Sequence, residues 1–186
     1  LLIFPPVYPL LIQVVTYFVG NPIWAGLLIS NLAFVAGLCI LHQLIRLDFD
    51  RKTAELTVWL YICFPTAYFF HVVYSESVFF ALSLGTIYLA RKERWLPAGL
   101  LGLLAALTRT PGFILSVILA AEYFQQCRER RKLLPCKAAL VAVLLPLLGF
   151  ALFLLLNWSH TGDPFHFMKI YQMQLGRHLA PPWEGF

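Results

Sequence analysis

PIWAGLLISNLAFVAGLCIL, residues 22–41, runs for twenty positions without a charged side chain. A helix rises about 1.5 Å per residue, so this run covers the roughly 30 Å hydrocarbon core of a bilayer. Residues 56–75 and 138–156 repeat the pattern, with no Asp, Glu, Lys or Arg in either. Across the chain 60% of residues are hydrophobic and 12% charged, against the roughly 25% charged residues of a soluble domain. Packing in water offers no reason for three such runs. The reading is an all-α, polytopic transmembrane helix bundle.

Basic residues gather in three short stretches, 46–52, 91–94 and 128–137. The positive-inside rule places all three in the cytoplasm, and the net charge of +5 then reports membrane orientation rather than nucleic-acid binding. Two loops on one side need an even number of crossings between them. The outer turns fall near 71–76 and at Arg109-Thr110-Pro111-Gly112, where Pro and Gly break helices. The expected crossings are 22–45, 54–70, 76–90, 95–109, 112–127 and 138–156. An external helix at 9–19 and an external tail over 157–186 complete the single domain. The chain opens at Leu1 without a signal peptide and is expected to be part of a longer protein.

This orientation gathers His71, Ser75, Glu76, Arg109, His160, Asp163, His166 and Arg177 on the non-cytoplasmic side. Polar groups gathered at one membrane face form a functional-site pattern. Glu76, in Tyr74-Ser75-Glu76-Ser77, can orient a hydroxyl or take a proton; it can equally sit at a helix N-terminus capped by Ser75. Arg109, between two apolar stretches, suits a phosphate, snorkels to headgroups or pairs with Glu76. Asp163 lies in Gly162-Asp163-Pro164, which is turn chemistry, and Trp183 serves as an interface aromatic or a sugar platform. Asn157-Trp158-Ser159 fits a glycosylation sequon but lies too near the bilayer to serve. The three histidines lack a His-x-x-x-His pair, and the four cysteines match no zinc spacing, so neither a metal nor a disulfide is expected. No nucleotide-binding glycine motif is present.

An ordered set of segments carries a family resemblance. Phe4-Pro5-Pro6-Val7-Tyr8-Pro9-Leu10, Phe64-Pro65-Thr66, Tyr74-Ser75-Glu76-Ser77, Leu84-Gly85, Tyr88-Leu89-Ala90-Arg91, Ala98-Gly99-Leu100 and Ala106-Leu107-Thr108-Arg109-Thr110-Pro111-Gly112 appear in sequence. Thr161-Gly162-Asp163-Pro164 and Ala180-Pro181-Pro182-Trp183-Glu184 follow. Together they resemble the PIG-V-type mannosyltransferases, a glycosylphosphatidylinositol mannosyltransferase II-like group of the membrane-embedded GT-C glycosyltransferases, with a bacterial plasma-membrane member the expected kind.

The resemblance implies a polyprenyl-phosphate sugar donor, mannose by family, and a lipid-linked or glycan acceptor met at the non-cytoplasmic face. No cofactor follows from it. It also implies a catalytic acid upstream of Leu1. On this chain Arg109 would receive the leaving phosphate, and Glu76 would orient the acceptor or hold Arg109. Tyr74, Ser75, Asp163, Arg177 and Trp183 would bind substrate. A transporter or flippase, or a non-catalytic membrane subunit, would also use buried charges and broken helices. Paired internal repeats, common in transporters, are not apparent.

Overall fold

The computed structural model describes residues 5–129 and 137–175, and these residues are all-helical. Arg177 and Trp183 lie outside them. Helix α1 (Val7–Val19) and α2 (Pro22–Ile45) form a tight antiparallel hairpin. Gly20, left-handed at φ 76°, ends α1 with its N–H on Thr16 O at 2.8 Å. Asn21 then accepts from Ile23 N at 2.8 Å, and Pro22 takes the first helical position, where a missing N–H is harmless.

Asp50 caps α3 (Arg51–Cys63) by accepting from Thr53 N. The expected segment 54–70 is not one continuous helix. Proline disfavours helical backbone in the residue before it, so Phe64 is extended and Pro65–Phe70 continues as a 3₁₀ turn. Helix α4 (Glu76–Arg91) follows, then α5 (Trp95–Ala106), against whose last turn the 3₁₀ turn Thr110–Ile114 packs. The chain continues through α6 (Leu115–Glu129), α7 (Lys137–Thr161) and α8 (His166–Leu175). Helix α7 passes the expected boundary at residue 156, because no breaker appears before Gly162 at φ 71°.

Among the described residues two helices, Pro22–Ile45 and Lys137–Thr161, are long and apolar enough to cross a membrane. Large apolar side chains on both, Leu28, Leu32, Leu144 and Leu155 among them, point outward. Such faces suit lipid, which competes with helix packing for Leu and leaves small residues to hold helices together. The contacts between helices follow that rule. Helices α5 and α7 make the most extensive pair, with Ala98, Gly99, Gly102 and Ala106 meeting Ala139, Ala142, Pro146 and Gly149. Gly37 of α2 admits the Phe80 ring of α4, and Gly85 admits Leu101.

Helix α4 fixes two ends of the bundle. Its C-terminal Arg91 pairs with Asp48 from the α2–α3 loop and lies 3.6 Å from Glu122 of α6. Gln126 of α6 donates to Ala90 O at 3.0 Å. The basic segments 46–52 and 91–94 and the end of α6 are therefore neighbours. Glu76 opens the same helix fifteen residues earlier, roughly 22 Å away along the axis.

Candidate active site at the Glu76–Arg109 end of the bundle

Glu76 projects from the first turn of α4, where the positive end of the helix dipole favours a carboxylate. Ser75 precedes it without making a side-chain cap. Arg109 is extended (φ −147°, ψ 142°), because α5 has ended at Ala106 and Pro111 starts a 3₁₀ turn. The turn folds back onto α5, with Gly112 N donating to Arg109 O at 3.0 Å. These two local breaks aim the Arg109 guanidinium at Glu76, and the pair forms a salt bridge with both side chains about one-third exposed. An ion pair at the end of an apolar bundle keeps each charge partnered while leaving one side open.

Beside the pair lies a recess of about 220 Å³, lined by Pro5, Tyr8, Pro9, Val73, Tyr74, Ser75 and Thr108. Tyr74-Ser75 lead directly into Glu76, and Thr108 leads into Arg109, so two of the segments that line the recess continue into the members of the pair. Val7 N donates to Leu107 O at 3.1 Å and fastens the start of α1 to the end of α5. Tyr8 is buried, with its hydroxyl 2.9 Å from Ser30 Oγ; Ser30 donates to Tyr74 O at 3.2 Å. Burial pushes the Tyr8 phenol up, the Ser30 hydrogen bond opposes the rise and the Glu76 charge adds to it. A larger groove of about 500 Å³ lies between α3 and the 3₁₀ turn, from Thr57 to Phe70. Neither cavity has a charged side chain in its lining, but the smaller one adjoins the Glu76–Arg109 pair through Ser75 and Thr108.

Of the expected site residues, Glu76 and Arg109 meet directly, and Tyr74 and Ser75 border them. Asp163 is held within its own turn. It accepts from Phe165 N at 2.9 Å and pairs with Lys169 Nζ at 2.5 Å. The Lys169 hydrogen bond, then the Phe165 backbone, hold its carboxyl below the usual carboxylate range. Asn157 is fully buried and donates to Phe153 O at 3.0 Å, so it is no sequon acceptor in this fold. Among the described residues no cluster of three His, Cys, Asp or Glu side chains has metal-binding geometry.

Residues that sequence reasoning did not single out are Tyr8, Ser30, Asn31, Thr108 and the placement of His71. Ser30 and Asn31 were legible as hydrogen-bonding side chains in the middle of an otherwise apolar run. Lipid would have left them unsatisfied, which signals a protein partner.

Residues 4–159 match the model of the dolichyl-phosphate-mannose-protein mannosyltransferase family. The chain is also similar to two proteins named GPI mannosyltransferase 2, from two strains of Cryptococcus neoformans var. neoformans serotype D, at 31% identity over 134 residues. That alignment takes in 65% of this chain and 31% of each relative, so the chain spans about a third of the length of the curated relatives it matches. No solved structure matches it.

Proposed function

The chain belongs to the dolichyl-phosphate-mannose-protein mannosyltransferase family, which has the GT-C membrane fold, and on that premise we propose that it forms part of the sugar-transfer site of a membrane mannosyltransferase. The donor is a polyprenyl-phosphate mannose, and the acceptor is a lipid-linked or other glycan. The observation that carries this reading is the Glu76–Arg109 pair set against a small recess of aromatic, proline and hydroxyl side chains. The recess lies below the roughly 300–1,000 Å³ of sites for drug-sized ligands and suits a single sugar ring.

In this reading Arg109 stabilises negative charge as it develops on the departing lipid phosphate, and Glu76 keeps the guanidinium aimed. Tyr74, Ser75 and Thr108 border the sugar. The reaction face is the non-cytoplasmic one. Support comes from the bundle ends: basic segments share one end and the pair occupies the other, so six crossings with basic loops inside turn the pair outward.

The test uses the full-length protein in native membranes with labelled polyprenyl-phosphate mannose. Arg109→Gln is expected to lower transfer by roughly 10²–10³-fold, the scale for losing one preorganised donor, while membrane insertion is unchanged. Transfer at the wild-type rate in that variant refutes the role.

A further inference from the structure

Ser30 is fully buried in the apolar run of α2. A hydroxyl buried in a helix can bond back to the carbonyl four residues earlier, and Thr86 and Thr108 do so, on Leu82 O and Leu104 O. Ser30 instead donates across to Tyr74 O, in the loop before α4. The backbone ladder of α4 begins one residue later, with Phe79 N on Ser75 O at 3.0 Å, so Ser30 serves a carbonyl outside that ladder. A hydroxyl carries one proton, and a carbonyl only accepts. With the Ser30 proton on Tyr74 O, the 2.9 Å contact between Ser30 Oγ and the Tyr8 hydroxyl has the phenol as donor. The bonds therefore run one way, from Tyr8 through Ser30 to Tyr74 O. Hydrogen bonds in series strengthen one another, and in an apolar bundle each is costly to leave unmade.

Tyr8 stands in the first turn of α1, and its neighbour Val7 donates its N–H to Leu107 O. Tyr74 lies two residues before Glu76, and Leu107 lies two residues before Arg109. One turn of α1 thus holds both segments that deliver the ion pair, each at the same remove from its charged side chain. The same turn walls the recess with Tyr8 and Pro9, beside Tyr74, Ser75 and Thr108. The Glu76 charge is near enough to act on the Tyr8 phenol.

We propose that the first turn of α1, with Ser30, positions the Glu76–Arg109 pair: the Tyr8 and Ser30 hydroxyls act on Glu76 through Tyr74, and the Val7 N–H acts on Arg109 through Leu107. The inference rests on the sugar-transfer reading. Arg109 meets the departing phosphate; Ser30 and the Tyr8 hydroxyl are positioning groups that set how the guanidinium is presented to it. Stabilisation of developing charge depends on donors fixed before the charge appears, and the pair is fixed only as well as the two backbone segments that carry it. Loss of the brace therefore falls on kcat rather than on donor KM.

Ser30→Ala and Tyr8→Phe, each alone and combined with Arg109→Gln, are assayed as full-length protein in native membranes with labelled polyprenyl-phosphate mannose, and transfer is expressed per folded protein. Ser30→Ala is expected to lower kcat by about tenfold or more, as a small misplacement of a reacting group does. Tyr8→Phe leaves Ser30 on Tyr74 O and is expected to cost less, about threefold. In the Arg109→Gln background neither change should lower transfer by more than about twofold further, because no guanidinium is left to aim. Damage to the fold alone would cost the same in both backgrounds. An equal fold-loss in both backgrounds, or wild-type kcat in Ser30→Ala, overturns the inference and leaves the transfer reading standing. Where Ser30→Ala does not fold, Tyr8→Phe in the two backgrounds decides by the same comparison. Wild-type transfer by Arg109→Gln alone overturns the transfer reading and this inference with it.

Discussion

Gly112→Ala tests whether the turn after α5 aims Arg109. A Cβ on Gly112 would lie 2.4 Å from Ala106 Cα, 2.5 Å from Ala106 N and 2.7 Å from Ala105 C. All three are backbone atoms, so no side chain can swing aside. Carbon atoms rest at roughly 3.5–4.0 Å, so the turn must retreat from α5 by about 1 Å or more. Overpacking of this kind destabilises by about 1–3 kcal/mol. The turn holds Arg109 through Gly112 N–H to Arg109 O at 3.0 Å, whereas Arg109 N–H to Ala105 O at 3.0 Å ties it to α5, so the retreat strains Arg109 between the two and shifts it. A misplacement near 1 Å at a reacting group lowers turnover by about 10²-fold.

Gly162→Ala is the comparison. It stands at φ 71° with open space around it, so the substitution is strained by about 1–2 kcal/mol but moves nothing near Glu76. Thermal unfolding in lipid and mannose transfer by the full-length protein are measured on both variants. Both should melt lower, and only Gly112→Ala should lose transfer beyond its loss of folded protein. Wild-type transfer by Gly112→Ala, or an equal loss in Gly162→Ala, refutes the reasoning.

Two further outcomes are expected. Gly99→Ala brings a Cβ to 2.6 Å from Ala142 Cα, forces α5 from α7 and lowers stability by about 1–3 kcal/mol, whereas the outward-facing Leu100→Ala stays within about 0.5 kcal/mol of wild type; equal melting temperatures would count against the small-residue interface. Asp163 has a depressed carboxyl through Lys169, so its contribution is present above the ordinary carboxylate range and fades as pH falls through the lowered value. Asp163→Asn should therefore shrink the difference in melting temperature between neutral pH and about pH 3, and an unaltered difference would contradict the Lys169 pairing.

Much of the architecture was readable because lipid imposes a simple condition: backbone groups must be satisfied within each segment, so a long apolar run is a helix. The run at 22–41 grew into α2, Pro22–Ile45, and 138–156 into α7, Lys137–Thr161. Gly112 and Pro111 located the break at Arg109 from chain chemistry alone, and Glu76 stood out as the acid opening α4. The break at Phe64 is written in the following Pro65, yet the unbroken apolar character of 54–70 masks it, because hydrophobicity alone does not separate one helix from a helix and a 3₁₀ turn.

What the sequence by itself determined is the helical class, the apolar spans, the charge polarity between the two ends and the identity of the groups able to do chemistry. Each follows from composition and local breakers, whose effects act within a few residues. Only the tertiary structure decided partners. Glu76 and Arg109 are 33 positions apart, and Asn31 and His71 are 40 apart. Whether they meet depends on how closely small residues let α2, α4, α5 and α7 approach, a three-dimensional property of facing surfaces. Apolar periodicity cannot reveal it, because lipid-facing and helix-facing sides of these helices are equally apolar and differ mainly in side-chain size.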